Sequence, residues 1–273
     1  MKITNKFVDD IGAAKFVLTT DDHHKVEASV FTVSDGTENV CVSCQVGCSY
    51  VCRHCATGML GFGRNLTARE MFDQVAACRT AGNVDVLFMG MGEPFANLRR
   101  VLQSIDMLVE AGIAANVRHT HIATSGIAGR GWQVLQGLKE RPTISVSFHA
   151  GTNEARRQII PHADLMDLAE LCRQISEYKR STGDQVFLNY TPLKGINDSL
   201  AEFESFCRYV CELDCVARIT PFNSWPSATV SGAETEKAEL LEARLRFHKC
   251  SYLMRPSQGA SVFAGCGQLG ARV

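Results

Sequence analysis

Apolar residues recur along this chain in two alternating rhythms. Short runs rich in β-branched residues, such as Thr143–Phe148 and Val216–Ile219, are separated by longer stretches in which apolar residues return every three or four positions. The first rhythm predicts strands and the second amphipathic helices. A hairpin is expected over Lys25–Val42. Strands are then expected at Val84–Phe88, His119–Ala123, Thr143–Phe148, Gln185–Asn189, Val216–Ile219 and Tyr252–Arg255. Helices are expected between them at Thr67–Thr80, Leu98–Glu110, Trp132–Lys139, Asp164–Arg180, Leu200–Glu212 and Glu234–His248. Thr67 and Glu70 have the spacing of a capping box, which fixes the start of the first helix.

Repeated β-α units predict an α/β fold with a parallel sheet and helices outside it. Curled, that sheet makes a partial (β/α) barrel with its ligands at the carboxyl ends of the strands. No low-complexity linker interrupts the chain. Residues 1–40 are expected to form an N-terminal extension and hairpin packed on the barrel, and residues 41–273 the core. With 273 residues, 45% of them hydrophobic, the chain can bury a substantial core without disulfides.

Composition narrows the setting. No apolar leader succeeds Met1, the opening Met1–Asp10 is polar, and no apolar run approaches bilayer length. Twelve cysteines in such a chain predict a reducing, cytoplasmic compartment with thiols that are free, metal-bound or catalytic. Cys207, Cys211 and Cys215, in aromatic company, are expected to pack in the core. A formal net charge of -1 lacks the overall basic signature of a protein living on nucleic acid. Local pairs such as Arg156-Arg157 are read as solvated helix surface.

The densest chemical signal is the run Cys48-Ser49-Tyr50-Val51-Cys52-Arg53-His54-Cys55. Its C-x3-C-x2-C spacing offers three thiolates and no fourth. A zinc knuckle could borrow His54 or a distant residue, whereas an iron-sulfur cube on three cysteines keeps one iron open for an outside ligand. Polar residues also gather at predicted strand ends: Gly92 and Glu93 in Gly90–Pro94, Ser125, then Ser147, Phe148 and His149, and Asn223. Together they form a rim suited to cradling a cofactor, with Glu93 placed to meet an ammonium group.

The cysteine spacing resembles that of the radical S-adenosylmethionine (SAM) superfamily. The resemblance implies a 4Fe-4S cluster on Cys48, Cys52 and Cys55, with SAM chelated to the open iron. Denser matches resemble the adenine methyltransferases of the RlmN and Cfr type: Cys41–Cys48, Gly61–Thr67, Met89–Pro94, Thr124–Gly126, Ser147–His149, Ile159–Pro161, Gly195–Asp198, Pro221–Asn223 and Gly265–Leu269. They cover the chain from Val26 onward. This resemblance implies methylation of an adenine carbon in RNA, at C2 or in second place C8, using two SAM molecules. Cys266 would carry the methyl group as S-methylcysteine, Cys41 would resolve the protein-RNA adduct, and Glu27 would accept a proton. An electron donor such as flavodoxin or ferredoxin is implied as partner, and no membrane.

Two departures from that family bear on the acceptor. The residues ahead of Val26 are too few for the helical accessory domain expected to grip RNA, and the segment Arg255–Ala264 carries few charges for phosphate contacts. A radical SAM methyltransferase of a small molecule or peptide is therefore the alternative expectation. A non-catalytic RNA-binding or metal-sensing module is the third.

Overall fold

Along Val186–Tyr190, buried Val186, Leu188 and Tyr190 alternate with half-buried Phe187 and Asn189. This period of two arises when one strand face is sealed by helices and the other lines a cavity. In the computed structural model of the protein, which describes residues 1–80 and 82–271, such strands form one ten-stranded sheet. Its strands are β1 (Lys2–Val8), β2 (Ala14–Thr19), β3 (Lys25–Thr32), β4 (Glu38–Cys41), β7 (Asp85–Phe88), β8 (Thr120–Thr124), β9 (Thr143–Ser147), β10 (Val186–Tyr190), β11 (Val216–Ile219) and β12 (Ser251–Met254). They are ordered as they occur in the chain. A separate two-stranded ribbon, β5 (Gln45–Gly47) with β6 (Phe62–Asn65), frames the cysteine-rich loop.

From β4 onward every neighbouring pair in the large sheet is parallel, while β1 to β4 are antiparallel. The sheet is open, with β1 and β12 as its edges. The expected α/β partial barrel is therefore present. Helices α1 (Ala68–Cys78), α2 (Leu98–Glu110), α3 (Gly131–Gln136), α4 (Asn153–Ile159), α5 (Leu168–Thr182), α6 (Leu200–Glu212) and α7 (Thr235–Phe247) supply the outer layer. The Thr67–Glu70 capping box is formed in both directions. Fully buried Met71, Val75, Val101, Leu171, Phe203 and Phe206 seal the sheet's outer face, each contributing about 1.5–3 kcal/mol of burial.

Several expectations need correction. The polar opening holds two strands beyond the expected hairpin: Lys2–Val8 pairs with Ala14–Thr19, and β2 pairs with β3. An edge strand can be polar because much of it faces water, so hydrophobic patterning misses it. The helix expected from Asp164 starts at Leu168, where the Asp167 side chain accepts the Glu170 amide. The short α4 lies outside the expected helices. The thiols are not all free either, because Cys211 is disulfide-bonded to Cys250. Cys211, expected in the core, is exposed at the end of α6, whereas Cys207 and Cys215 are buried. Compartment-based reasoning cannot see that two cysteines 39 residues apart are brought side by side. Among the described residues no helix is long and apolar enough to cross a membrane.

The N-terminal strands hold the end of the chain. Lys15 on β2 is 1% exposed and pairs with Glu27 on β3 at 2.8 Å. Its ammonium also donates to the Ala271 carbonyl at 2.9 Å, while Glu27 accepts the Gly270 amide at 2.7 Å. Removing one member of such a pair strands the other charge. Lys15→Met is expected to cost about 3 kcal/mol in anaerobic denaturant unfolding, with most of the loss recovered in Lys15→Met/Glu27→Leu; a loss below about 1 kcal/mol would refute the clamp.

Candidate active site

The inner face of the sheet opens at the carboxyl ends of its parallel strands into a cavity of about 280 Å³. Strand register explains its lining. Ser29 pairs with Cys41, Cys41 with Leu87, Ala123 with Ser145, Ser147 with Asn189, and Asn189 with Arg218. Paired residues point to the same side, so one layer of side chains from successive strands faces one space.

The cysteine-rich loop covers that space. It leaves β5 at Gly47, where the Cys48 amide donates to the Gly61 carbonyl at 2.9 Å, and returns through a 3-10 turn at Ala56–Leu60. Cys48, Cys52 and Cys55 all line the cavity. Burial pushes the Cys48 thiol up to about 12 and raises those of Cys52 and Cys55, with the neighbouring thiols adding to the rise at Cys48 and Cys52. Among the described residues, no three His, Cys, Asp or Glu side chains stand already gathered as a metal site. The fit to an iron-sulfur cluster is therefore one of donor type and place: three soft thiols from one short loop, facing one enclosed space. His54 sits half-buried between two of them, its Nδ1 buried without a partner and its ring edge-on to His149 at 4.5 Å.

The strand-end residues divide into those that face the cavity and those that do not. Gly92, Glu93, Ser125, Ser147, His149 and Asn223 line it. At Gly92, φ is +105°, and a Cβ would come within 2.6 Å of Gln45 and 2.9 Å of the Cys44 sulfur. Cys44 is thus the floor beneath Gly92. Glu93 is 3% exposed, and its two carboxylate oxygens accept the Phe95 amide at 3.0 Å and the Ser125 amide at 2.7 Å. Burial raises its pKa against these bonds. It ties two strand ends together and keeps lone pairs for a cationic ligand.

His149 adopts a left-handed φ of +55°, a conformation that costs a side-chain-bearing residue roughly 1–3 kcal/mol. Two bonds hold it there. Its Nδ1 accepts the Thr191 amide at 3.1 Å, and its carbonyl accepts the Asn197 side-chain amide at 2.6 Å. Burial, reinforced by His54 and Arg156, lowers its pKa well below the usual histidine value. The ring is therefore neutral, with its proton on Nε2.

Phe148 departs from the expected cofactor wall. Its ring is fully buried in the core against Phe206 and Tyr209, and only its carbonyl serves the site by accepting from Arg156. Arg156, expected on the surface, is 1% exposed. Its guanidinium donates to the carbonyls of Ser147 at 2.6 Å, Phe148 at 2.7 Å and Ser125. One side chain thus fixes the ends of β8 and β9. A charged residue with neighbours at helical spacing reads as solvated until tertiary contacts show that strand-end carbonyls lie beneath it.

Cys41, at the end of β4, and Cys266 meet in the same cavity. Burial pushes the Cys41 thiol up to about 12, with Cys266 adding to the rise and Ser29 opposing it. Cys266 is exposed, but to the cavity, whose walls push its thiol up to about 11. Its loop is tightly placed. Asn223 donates to the Cys266 carbonyl at 3.0 Å, the Ala56 amide donates to the Gly267 carbonyl at 2.7 Å, and Thr57 donates to the Leu269 carbonyl at 2.5 Å. A Cβ on Gly267 would lie 2.5 Å from the His54 carbonyl, so glycine lets the Cys266 loop touch the cysteine-rich loop. Glu27 is not on the cavity wall; its carboxylate is held by Lys15 and Gly270.

The chain is similar to known proteins over nearly its whole length. Residues 42–209 match the family model of the radical SAM superfamily. The chain is 34% identical over 278 residues to a probable dual-specificity RNA methyltransferase RlmN of Thermus thermophilus, covering 99% of this chain and 78% of that one. It is 34% identical over 271 residues to the dual-specificity RNA methyltransferase RlmN of Oleidesulfovibrio alaskensis, covering 95% and 75%. A radical SAM methyltransferase from Sphaerobacter thermophilus superposes with a TM-score of 0.91 at 32% identity, covering 99% of this chain and 81% of that structure.

The fit at Gly92 gives a direct test. Gly92→Ala adds a clash and a strained φ at the turn that places Glu93, and is expected to weaken SAM binding about tenfold in anaerobic equilibrium dialysis of the iron-loaded protein. Unchanged affinity would show that this turn does not contribute to the cradle.

Proposed function

Because the chain belongs to the RlmN-type branch of the radical SAM methyltransferases, we propose that it methylates an adenine carbon of RNA through Cys266 and Cys41. C2 is the favoured position and C8 the second. The observation that carries this reading is the meeting of Cys41 and Cys266, from opposite ends of the chain, in one cavity with the three thiols of the cysteine-rich loop. An RNA acceptor is supported by the activity for which the relatives are named.

Cys48, Cys52 and Cys55 would hold the 4Fe-4S cluster, and Gly92, Glu93, Ser125, Ser147 and His149 would line the SAM site. When bound, the cluster and SAM supply the methyl group and the hydrogen-abstracting radical that unactivated carbon requires. The electron donor would be a one-electron carrier of the flavodoxin or ferredoxin kind.

The protein's own part is to hold and release. Cys266 receives the methyl group as a thioether, losing its thiol proton, and Asn223 together with the contact to Ala56 keeps it facing the cavity. Once its carbon is bonded to the base, one electron passes to the one-electron carrier and the ring proton to solvent, and the Cys41 thiolate then attacks the Cys266 sulfur. The S–C bond breaks, its electron pair stays on the base-borne carbon and takes up a proton, and a Cys41–Cys266 disulfide is left for a cellular dithiol to reduce. In this scheme Glu27 is a positioning residue, which anchors the loop four residues beyond Cys266.

Reconstitution with deuterated-methyl SAM tests the proposal. Label is expected on the Cys266 peptide and in methyladenosine from added total RNA; an unlabelled Cys266 in cluster-loaded protein would refute the carrier role, and labelled Cys266 with unmodified RNA would refute the RNA acceptor. Cys41→Ala is expected to accumulate a covalent protein-RNA adduct. Because the Cys41 thiol is pushed up to about 12, its thiolate fraction rises with pH throughout the neutral range. Adduct release by the parent enzyme, timed by quenched-flow mass spectrometry, should accelerate about tenfold per unit between roughly pH 7 and 9. A flat profile would remove thiolate formation from the release step.

A further inference from the structure

Arg218 is a cation in a strand that reads as core. It occupies the third position of β11, Val-Ala-Arg-Ile, and is 6% exposed. Register puts it on the inner face beside Asn189 of β10 and Leu253 of β12. Arg255, two residues past Leu253 and tied through its amide to the Ile219 carbonyl at 2.8 Å, is therefore on the same face. Both arginines line the cavity that contains Cys266.

Neither has an acidic partner. Among the described residues no carboxylate forms a salt bridge with Arg218 or Arg255, and Glu93 is the one carboxylate of the lining, engaged by the Phe95 and Ser125 amides. Arg218 donates through one nitrogen to the Ser145 hydroxyl at 2.8 Å and lies over the Phe187 ring at 3.4 Å. Its Nε is buried with no hydrogen-bond partner. An orphaned guanidinium donor beside a second cation is a costly arrangement in a desolvated space unless an anion occupies it during function. The fork of a guanidinium matches the oxygens of a phosphate, and stacking on Phe187 fixes its plane.

From this juxtaposition we infer that Arg218 and Arg255 form an anion-binding subsite that takes a phosphate group attached to the methyl acceptor. The inference rests on the reading of the cavity as the acceptor site. It supplies, inside the barrel, phosphate contacts for which the uncharged stretch Pro256–Ala264 offers none. The phosphate belongs either to an RNA strand or to an adenine mononucleotide, and the two sources are separable.

The test compares the cluster-reconstituted parent enzyme with Arg218→Gln and Arg255→Gln for binding of adenosine, AMP and a short adenine-containing oligoribonucleotide, with SAM as control. Either variant is expected to lose about tenfold or more in affinity for a phosphate-bearing ligand while adenosine changes by less than about twofold. A loss seen with AMP assigns the phosphate to a mononucleotide, and a loss confined to the oligoribonucleotide assigns it to an RNA strand; both support the subsite. Unchanged affinity for both phosphate ligands would overturn it. So would an equal loss of SAM affinity, which would give the arginines to the SAM carboxylate. Arg255 is only half-buried, so its variant carries the test even where Arg218→Gln does not fold. Methyl labelling of Cys266, read in parallel, keeps failure of the subsite distinct from failure of the methyl-carrier reading.

Discussion

The arrangement depends on the chain's final segment returning to its first strands. β12 is the far edge of an open sheet, and nothing in the ladder draws the residues beyond Met254 back to β3 and β4. The return is made by discrete polar ties: the Gly259 amide donates to Asp9, Lys15 to the Ala271 carbonyl, and the Gly270 amide to Glu27. These ties close over the sheet's open side and set Cys266 opposite Cys41. Because Lys15 is buried, its charge must be answered wherever the loop goes. The clamp therefore specifies one position for the loop.

A second set of ties holds the opposite wall. Arg156 and Glu93 are both buried, and both direct their charge at backbone groups: the guanidinium at three carbonyls, the carboxylate at two amides. Strand ends otherwise expose unpaired backbone groups, and a rigid rim needs them satisfied. Arg218 differs from these two because it is not spent on strand-end backbone groups: it donates to the Ser145 hydroxyl and lies over the Phe187 ring. The contrast between buried charges that bind strand-end backbone groups and one that does not separates the scaffold of the cavity from the part read as a ligand site.

Much of this was legible in the sequence. The β-α rhythm located the parallel strands within a residue or two, because strands sealed by helices on one face keep a clear apolar pattern. Cys48, Cys52 and Cys55 were legible as a unit because their spacing is short. Arg156 was not, since its partners are carbonyls of residues distant in sequence, and carbonyls leave no side-chain signature. Arg218 did carry a signal, a lone charge inside an apolar strand. Phe148 was misplaced by its neighbours: Ser147 and His149 face the cavity, and the residue between them must turn its ring into the core. Glu27 was identifiable as special but not as an ion-pair partner, because Lys15 lies on a strand that hydrophobic patterning did not reveal.

The two-thiol scheme is tested most directly by a single-turnover reaction without external reductant, read by non-reducing peptide mapping. A Cys41–Cys266 disulfide is predicted to appear in step with methylated product, one linkage for each methyl group released. Product formed while both cysteines remain unlinked would contradict the scheme, because the two thiols would then meet in the fold without meeting in the chemistry.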